Sequence, residues 1–183
     1  MKILMVRHGE TDYNKNHLVQ GHIDIPLNET GIQQAKDAAK KILEYNISAA
    51  YSSPMGRAYD TCRYMLDNSG NESVQIEKDS RVIEKNYGKF EGATYVDWHA
   101  GQARGDIDSV ELDTAIAERV ENFYKEMYKK HADETILVVC HGACTRIFLE
   151  SKNLRPNTDY IKNTSVNEID YDGKEFVLRK YNV

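Results

Sequence analysis

The sequence is poor in cysteine, proline and tryptophan, with three cysteines, three prolines and one tryptophan in 183 residues. A small, odd number of cysteines argues against a disulfide framework. No apolar run approaches the ~20 residues that a membrane-spanning helix needs, so we expect no membrane partner. The first residues lead straight into an apolar segment, without the h-region and cleavage site of a signal peptide. These absences favour a cytoplasmic protein.

Basic residues are also fewer than acidic ones. The chain has 24 Lys and Arg against 29 Asp and Glu, a net charge of -5. There is no basic tail or stripe that could contact many phosphates, which argues against nucleic acid as a partner. A small anionic substrate remains compatible with this composition, because the local field of a pocket can oppose the net charge. No repeat, linker or low-complexity segment interrupts the chain, so we expect one domain over residues 1–183.

Two short apolar runs end in the same way. Residues 3–6 are followed by Arg7 and His8, residues 136–139 lead to His141, and a glycine follows each histidine. Unbroken apolar runs of this length are typical of buried parallel strands. Open α/β sheets bind ligands at the carboxyl ends of such strands. If the two strands are neighbours, the two imidazoles lie side by side at that edge.

The remaining pattern alternates between strands and helices. Asn28 is a typical N-cap for an amphipathic helix whose apolar stripe runs over residues 32–43. A strand near residues 49–51 leads to Ser53 and Pro54, which predict the N-cap and the first position of a second helix. Further on we expect a strand at 74–76, a partly ordered flap at 87–110, a long helix with one apolar face over 116–127, a strand at 136–139, a helix at 143–152 and a hairpin of 165–170 with 175–180.

The order of these elements predicts a fold. Alternating strands and helices favour a three-layer α/β/α domain with a mostly parallel sheet of about six strands. Several polar motifs punctuate that pattern at strand and helix ends. They are Arg7-His8-Gly9-Glu10-Thr11 with Asn14, Gly21, Leu27-Asn28-Glu29-Thr30-Gly31, Ser52-Ser53-Pro54-Met55-Gly56-Arg57-Ala58 with Thr61, Glu84 with Tyr87-Gly88 and Glu91-Gly92, and His141-Gly142.

In these motifs the chain resembles the histidine phosphatase, or phosphoglycerate mutase-like, superfamily. The resemblance covers almost the whole chain in order. It implies a sheet with one antiparallel strand and a site at the carboxyl edge. It also implies that His8 is the nucleophile of a phosphohistidine mechanism and that Glu84 is the general acid and base. Arg7, Arg57 and a protonated His141 would hold the phosphoryl oxygens. Asn14, Gly21 and Gly142 would contribute to substrate binding.

The function expected from this resemblance is hydrolysis of a small phosphomonoester, a small phosphorylated metabolite, without a metal or other cofactor. Two alternatives stay open. A mutase would return the phosphoryl group to the substrate, and an inactive relative would only bind a phosphorylated ligand. The four other histidines, His17, His22, His99 and His131, have no context that suggests chemistry, and we interpret them as surface or loop residues.

A rival nucleophile lies beside the second histidine. Cys140 and Arg146 satisfy the Cys-x5-Arg spacing of cysteine-dependent phosphatases, but Ala143 replaces the glycine usual at the third position after the cysteine. Cys140, His141 and Cys144 also cluster like zinc ligands. Because adjacent residues on a strand point to opposite faces, they rarely bind one ion together. We therefore expect no metal site.

Substrate identity does not follow from the motifs. The flap and the loop at 15–25 should determine it, and four basic residues in or near them could contact a second anionic group. These candidates are Lys15, Lys85, Lys89 and Arg104.

Overall fold

The computed structural model describes residues 1–156 and 160–183. Its centre is a six-stranded sheet in the order β3-β2-β4-β1-β5-β6. Strand β5 runs antiparallel to both of its neighbours, while β1 to β4 are mutually parallel. This arrangement confirms the mostly parallel sheet with one antiparallel strand. The strands are β1 (Lys2–Arg7), β2 (Ile47–Ser52), β3 (Ile76–Lys78), β4 (Thr135–Cys140), β5 (Val166–Tyr171) and β6 (Phe176–Lys180).

Helices cover both faces of the sheet. They are α1 (Asp12–Lys15), α2 (Glu29–Ala38), α3 (Gly56–Asp67), α4 (Tyr95–Ala103), α5 (Asp113–His131) and α6 (Gly142–Ser151), and single 3-10 turns lie at Ala39–Lys41, Ser80–Val82 and Gly88–Phe90. In the described ranges 1–156 and 160–183, no helix is both long enough and apolar enough to cross a membrane.

The three layers follow from the alternation of side chains along each strand. On β1, Ile3 and Met5 pack with α5 and α6, whereas Leu4 and Val6 pack with α2 and α3. Strand β4 divides its apolar residues in the same way. Burial on both faces explains why these strands are apolar throughout.

The predicted helix after β2 begins two residues later than its sequence signals suggest. The N-cap position is Met55, which makes no side-chain cap hydrogen bond. Instead, Asp24 accepts a hydrogen bond from the Gly56 backbone N–H at 2.8 Å. A carboxylate from a distant loop therefore performs the capping function that Ser53 was expected to perform.

Other boundaries differ by a few residues. The Asn28 cap is confirmed, because its side chain accepts from Gly31 N. The prediction that the apolar stripe of this helix extends to Leu43 is wrong. The helix ends at Ala38, and Leu43 is 60% exposed. The third strand begins at Ile76 instead of residue 74.

The segment at 87–110 is more regular than expected. It contains α4, and Trp98 on that helix packs with Phe90 and Val19 in a small third apolar cluster. Gly101 lets this packing occur, since a Cβ there would lie 2.3 Å from the ring of Phe90. The charged and glycine-rich sequence of residues 87–110 gave no clear helical pattern. The apolar contacts of α4 involve residues outside this segment, such as Val19, as well as residues within it.

Candidate active site

The two histidines meet at the carboxyl edge of the sheet. Strands β1 and β4 are parallel neighbours, and Arg7 lies opposite Cys140 in their register. The next residue on each strand is a histidine, so the rings of His8 and His141 approach to 5.1 Å between centroids with an edge-to-face angle of 65°. Both side chains are buried. The predicted juxtaposition of the two imidazoles is confirmed.

The orientation of His8 leaves one ring nitrogen available. Nδ1 lies 2.7 Å from the Gly9 carbonyl oxygen, which can only accept, so Nδ1 donates and Nε2 keeps its lone pair. Asn163 donates from Nδ2 to the His8 carbonyl at 2.9 Å and fixes the backbone. Burial, together with the positive charges of Arg57 and Arg7, lowers the pKa of His8 well below 6.5. These effects favour a neutral ring whose Nε2 lone pair is not used by the Gly9 contact.

Arg57 is held rigidly beneath this ring. It lies in the first turn of α3, is fully buried, and donates to the carbonyl oxygens of Gly21 at 2.8 Å and Ile23 at 2.9 Å. Asp24 is its nearest carboxylate, at 3.4 Å. Burial lowers the pKa of Arg57, an effect that the Glu84 and Asp24 charges oppose. Its reference pKa is high enough that the side chain stays charged.

Arg7 approaches from the end of β1. One terminal nitrogen donates to the Ile161 carbonyl at 2.6 Å, and the guanidinium lies 4.5 Å from the centre of the Tyr160 ring. The Nε atoms of Arg7 and Arg57 are buried and have no hydrogen-bond partner among residues 1–156 and 160–183. An unpaired buried donor is costly, so these two N–H groups suit a bound anion.

His141 is held by a serine. Its Nε2 lies 2.7 Å from Oγ of Ser53, and its Nδ1 is buried without a partner in the part of the chain that the structure describes. Burial and the charges of Arg57 and its neighbours lower the pKa of His141 well below 6.5. This differs from the protonated ring expected from the sequence. A neutral ring can still donate if Ser53 donates to Nε2, because the proton then lies on Nδ1.

Glu84 lies at the amino end of α6. Its Oε1 accepts from the backbone N–H groups of Cys144 at 3.0 Å and Lys85 at 2.9 Å, and Oε2 lies 3.3 Å from Ala143 N. The helix terminus, with its free N–H groups, is a favourable place for a carboxylate. These contacts restrain both oxygens, and the residue borders the same cavity as His8.

The loop that carries Glu84 is anchored from outside the cavity. His22 Nε2 lies 3.0 Å from the Glu84 carbonyl oxygen, and Arg119 donates to the same oxygen at 3.3 Å. His22 is an exposed turn residue, in agreement with its interpretation as a surface or loop residue, and it also contacts the backbone of a site residue. Its short, polar sequence context gives no signal of this contact.

Two glycines lie at close approaches in the site. Gly21 has φ of +52°, and a Cβ there would lie 2.2 Å from Oε1 of Glu91. This conformation directs its carbonyl to Arg57. A Cβ on Gly142 would lie 3.3 Å from Nε of Arg7. Both glycines, and Asn14, border the cavity.

The cavity has a volume of about 490 Å³. Arg57 and His141 are fully buried behind its wall, whereas Arg7 and His8 border it directly. Its lining combines these site residues with cations and aromatic rings. The lining residues are Arg7, His8, Asn14, Val19, Gln20, Gly21, Glu84, Lys85, Tyr87, Tyr95, Trp98, His99, Gln102, Gly142, Ala143, Arg146, Arg155, Tyr160 and Ile161.

Of the four basic residues that were candidates for a second anionic group, one borders the cavity. Lys85 borders the cavity, but Lys15, Lys89 and Arg104 do not. Lys89 pairs with the exposed Asp106 instead.

Arg146 and Tyr95 are cavity residues that the sequence analysis missed. Arg146 could have been found, since it lies one helical turn after Gly142 and so shares its face of α6. Tyr95 is brought in by α4, which the sequence did not predict. Burial raises the pKa of Tyr95 to about 12, so it remains a neutral hydroxyl.

The rival nucleophile does not reach the cavity. Cys140 is fully buried among core residues on the α5–α6 side of the sheet, and its Sγ lies 3.3 Å from Oγ1 of Thr145. A side-chain hydrogen bond with Cys140, together with burial, raises the pKa of Cys144. Within the described residues, no group of three or more His, Cys, Asp or Glu side chains could hold a metal ion.

Comparisons with known proteins agree with this geometry. Residues 3–183 match the family model of the histidine phosphatase superfamily, branch 1. The chain belongs to this superfamily.

Its relatives include mutases and phosphatases. Phosphoglycerate mutase-like protein 4 of Arabidopsis thaliana is 32% identical over 97% of this chain and 83% of its own length. Phosphoserine phosphatase 1 of Hydrogenobacter thermophilus is 28% identical over 77% of this chain and 71% of its own. The crystal structure of phosphoglycerate mutase from Bacillus anthracis superposes with a TM-score of 0.90 at 25% identity, covering 100% of this chain and 92% of that one.

Proposed function

We propose that the chain, as one domain over residues 1–183, is a phosphatase that hydrolyses a small phosphomonoester through a phosphohistidine at Nε2 of His8. The observation that carries the proposal is the position of this neutral, oriented imidazole beside donors of Arg7, Arg57 and His141 that have no hydrogen-bond partner among the described residues. Phosphoryl transfer needs an in-line nucleophile and positive charge around the equatorial oxygens. These side chains can supply both.

The reaction then has two steps. In the first, the Nε2 lone pair of His8 forms a bond to phosphorus, the ester P–O bond breaks, and Glu84 gives a proton to the departing alkoxide. In the second, Glu84 removes a proton from water, the water oxygen bonds to phosphorus, and the P–N bond breaks. The products are an alcohol and inorganic phosphate, and both His8 and Glu84 return to their initial states.

The other residues stabilise the phosphoryl group. Arg7 and Arg57 would donate from their Nε groups, and His141 from Nδ1, to oxygens that gain negative charge. Asn14 would add an amide contact. Gly142 leaves room beside Arg7 for the group to enter.

Hydrolysis is favoured over a mutase reaction by the short cover on the site. A mutase has to protect its phosphohistidine from water between the two transfers. Here the cover from residues 87–110 includes the nine-residue α4. A purely binding role is disfavoured, because Arg7, His8, Arg57, Glu84 and His141 are all present and all lie at one end of the sheet.

The test of the nucleophile is a rapidly quenched reaction with a ³²P-labelled phosphomonoester. We expect an acid-labile, alkali-stable phosphoprotein that is absent in His8→Ala and retained in Cys140→Ser. Labelling that survives in His8→Ala but disappears in Cys140→Ser would overturn the proposal.

The test of hydrolysis against transfer uses 3-phosphoglycerate with catalytic 2,3-bisphosphoglycerate. We expect phosphate release without rapid isomerisation to 2-phosphoglycerate. Isomerisation that far exceeds phosphate release would identify a mutase instead.

A further inference from the structure

Glu84 lies in a segment that has no regular backbone pairing. Residues 83–87, between the 3-10 turns at Ser80–Val82 and Gly88–Phe90, belong to no helix or strand. The polar groups of such a backbone need partners from other parts of the chain. Their position matters here, because a general acid must come within about 2.6–3.2 Å of the oxygen that it protonates. The groups that hold the backbone of Glu84 therefore bear on its chemistry.

Glu84 is held at both of its polar ends. Its carboxylate accepts from the amino end of α6, where the Cys144 backbone N–H donates at 3.0 Å. Its backbone carbonyl accepts from two side chains, Nε2 of His22 at 3.0 Å and NH2 of Arg119 at 3.3 Å. A carbonyl oxygen has two lone pairs, so these two donors satisfy it. A shift of the Glu84 backbone would break at least one of these contacts.

Arg119 contributes more to this anchorage than one hydrogen bond. The residue lies on α5, and its side chain is mostly buried. Its NH1 nitrogen donates to the Arg81 carbonyl at 2.7 Å, so the two terminal nitrogens hold carbonyls three residues apart. The edge formed by Nε and NH2 binds Glu111, at 2.9 Å to Oε1 and 3.3 Å to Oε2. One planar side chain thereby fixes residues 81–84 on α5.

Glu111 extends the same network beyond Glu84. Its Oε2 accepts from the Asn86 backbone N–H at 3.0 Å, and its own N–H donates to the Asn86 carbonyl at 2.9 Å. Burial acts to lower the pKa of Arg119, but the hydrogen bond with Glu111 and the neighbouring negative charges leave that pKa raised. The guanidinium therefore stays charged, and its bonds to the carboxylate are of the strong, charge-assisted kind. The backbone on both sides of Glu84 is connected to Arg119, directly or through Glu111.

We propose that Arg119 is a positioning residue for the general acid, acting through the backbone of Glu84. This inference rests on the proposed phosphatase function, in which Glu84 protonates the leaving oxygen. Arg119 is not among the described residues that border the cavity, so its effect on the reaction is indirect. The role requires the fork of a guanidinium. A lysine ammonium is a point charge and cannot bind two carbonyls and a carboxylate in this planar arrangement.

A positioning role predicts that the effect of replacing Arg119 depends on the leaving group. In single turnovers, we expect Arg119→Met to slow phosphoenzyme formation from an alkyl phosphate about 10- to 100-fold, since a displacement of about 1 Å can cost that much. Formation from p-nitrophenyl phosphate, whose leaving oxygen needs no proton, should stay close to the native rate. A general distortion of the site would instead slow the reaction of both esters alike.

A double-mutant cycle with Glu84→Gln assigns the effect to the acid. With the alkyl ester, Arg119→Met should add almost nothing in the Glu84→Gln background, because the group that Arg119 positions has already been removed. Arg119→Lys keeps a cation beside Glu111 and should lose less than Arg119→Met, with the same bias towards the alkyl ester. If Arg119→Met fails to fold, Arg119→Lys takes its place in the cycle.

Arg81→Met is the matched control. The Arg81 side chain also connects this segment to α5, but through ion pairs with Asp79 and with Glu126. Its loss should lower the stability of the protein, because these pairs are partly buried. We expect the ratio of the rates for the two esters to keep its native value. The comparison separates anchorage of the segment in general from the hold that Arg119 has on Glu84.

Equal losses for the two esters in the Arg119 variant, or native rates with both, would overturn the inference. A further loss of the same size in the Glu84→Gln background would also overturn it. Glu84→Gln by itself separates this failure from that of the proposed function. If the native protein forms no phosphoenzyme, or if Glu84→Gln loses equally with both esters, the proposed function fails. If Glu84→Gln shows the bias and the Arg119 variant does not, only the positioning role fails.

Discussion

Ser53 and His141 form a fully buried hydrogen bond, 2.7 Å from Oγ to Nε2. The serine follows β2 and the histidine follows β4, so two neighbouring strands place them together. If Oγ donates, the proton of the neutral imidazole lies on Nδ1, the nitrogen without a partner among the described residues. Ser53 thereby determines which edge of the ring can donate to a phosphoryl oxygen.

Replacing this serine tests its role as a positioning residue. We expect Ser53→Ala to lower kcat/KM about 10- to 100-fold, because His141 loses its tautomer and one buried nitrogen loses its partner. Ser53→Thr, which keeps the hydroxyl, should retain most of the activity. In ¹⁵N-NMR spectra, the Nδ1–H form of His141 should dominate in the native protein and lose this dominance in Ser53→Ala.

Ser69→Ala is the matched control for that substitution, since Ser69 is also buried but bonds to the Leu66 carbonyl at the end of α3. It should change stability without changing the histidine spectra. The same small loss of activity in both variants would contradict a positioning role for Ser53.

The importance of Glu84 should depend on the leaving group. An alkyl alkoxide is a poor leaving group and needs a proton, whereas p-nitrophenolate leaves without one. With an alkyl phosphate, Glu84→Gln should slow phosphoenzyme formation by about 10²–10⁴, the usual contribution of a general acid. The p-nitrophenyl ester should lose much less in the same step, measured in single turnovers.

Equal losses for the two esters would mean that Glu84 only shapes the site. Its hydrogen bonds to Ala143 and Cys144 make such a role physically possible. The acid would then have to be another carboxylate, with Glu10 or Glu91 tested first.

The buried histidines should make stability depend on pH. Their pKa values are lowered in the folded protein from about 6.5, so the unfolded chain binds more protons as the pH falls below that value. Their contribution is complete above pH ~6.5 and is lost as the pH falls towards the folded-state pKa values. Each histidine adds about 1.36 kcal/mol per pH unit to the slope of the unfolding free energy within that window.

Urea unfolding between pH 7 and 5.5 measures that slope. His141→Gln should reduce it by the contribution of one proton. A native stability that stays constant over this range would contradict the neutral, buried state of the two rings.

Activity should not require a divalent metal. Arg7, Arg57 and His141 can supply the positive charge at the phosphoryl group. We expect full hydrolysis of p-nitrophenyl phosphate after dialysis against EDTA. Loss of activity that added zinc or magnesium restores would refute this prediction.

Most of the fold was predictable from local sequence. The apolar runs at 3–6 and 136–139 predicted buried parallel strands, because only strands covered on both faces lack polar positions. The Asn28 cap and the hairpin with its Gly173 turn were found within one residue, since their signals are local. The helix α4 was missed because its stability comes from packing against residues such as Val19, far away in the sequence.

The candidate site also combines features that the sequence predicted with features that depend on the tertiary structure. By itself, the sequence determined the two His-Gly strand ends, and it predicted that His8 and His141 would meet if their strands were neighbours. The sheet order, which makes β1 and β4 parallel neighbours, was decided by the tertiary structure. Only the tertiary structure decided what each polar side chain does. Ser53 had the local signal of a helix cap, but Asp24 caps that helix and Ser53 binds His141. Lys85 was one of four basic candidates in the sequence, and only the fold shows that it is buried beside the cavity. Such roles depend on which partner lies within about 3 Å, a distance set by loops that local propensity does not specify.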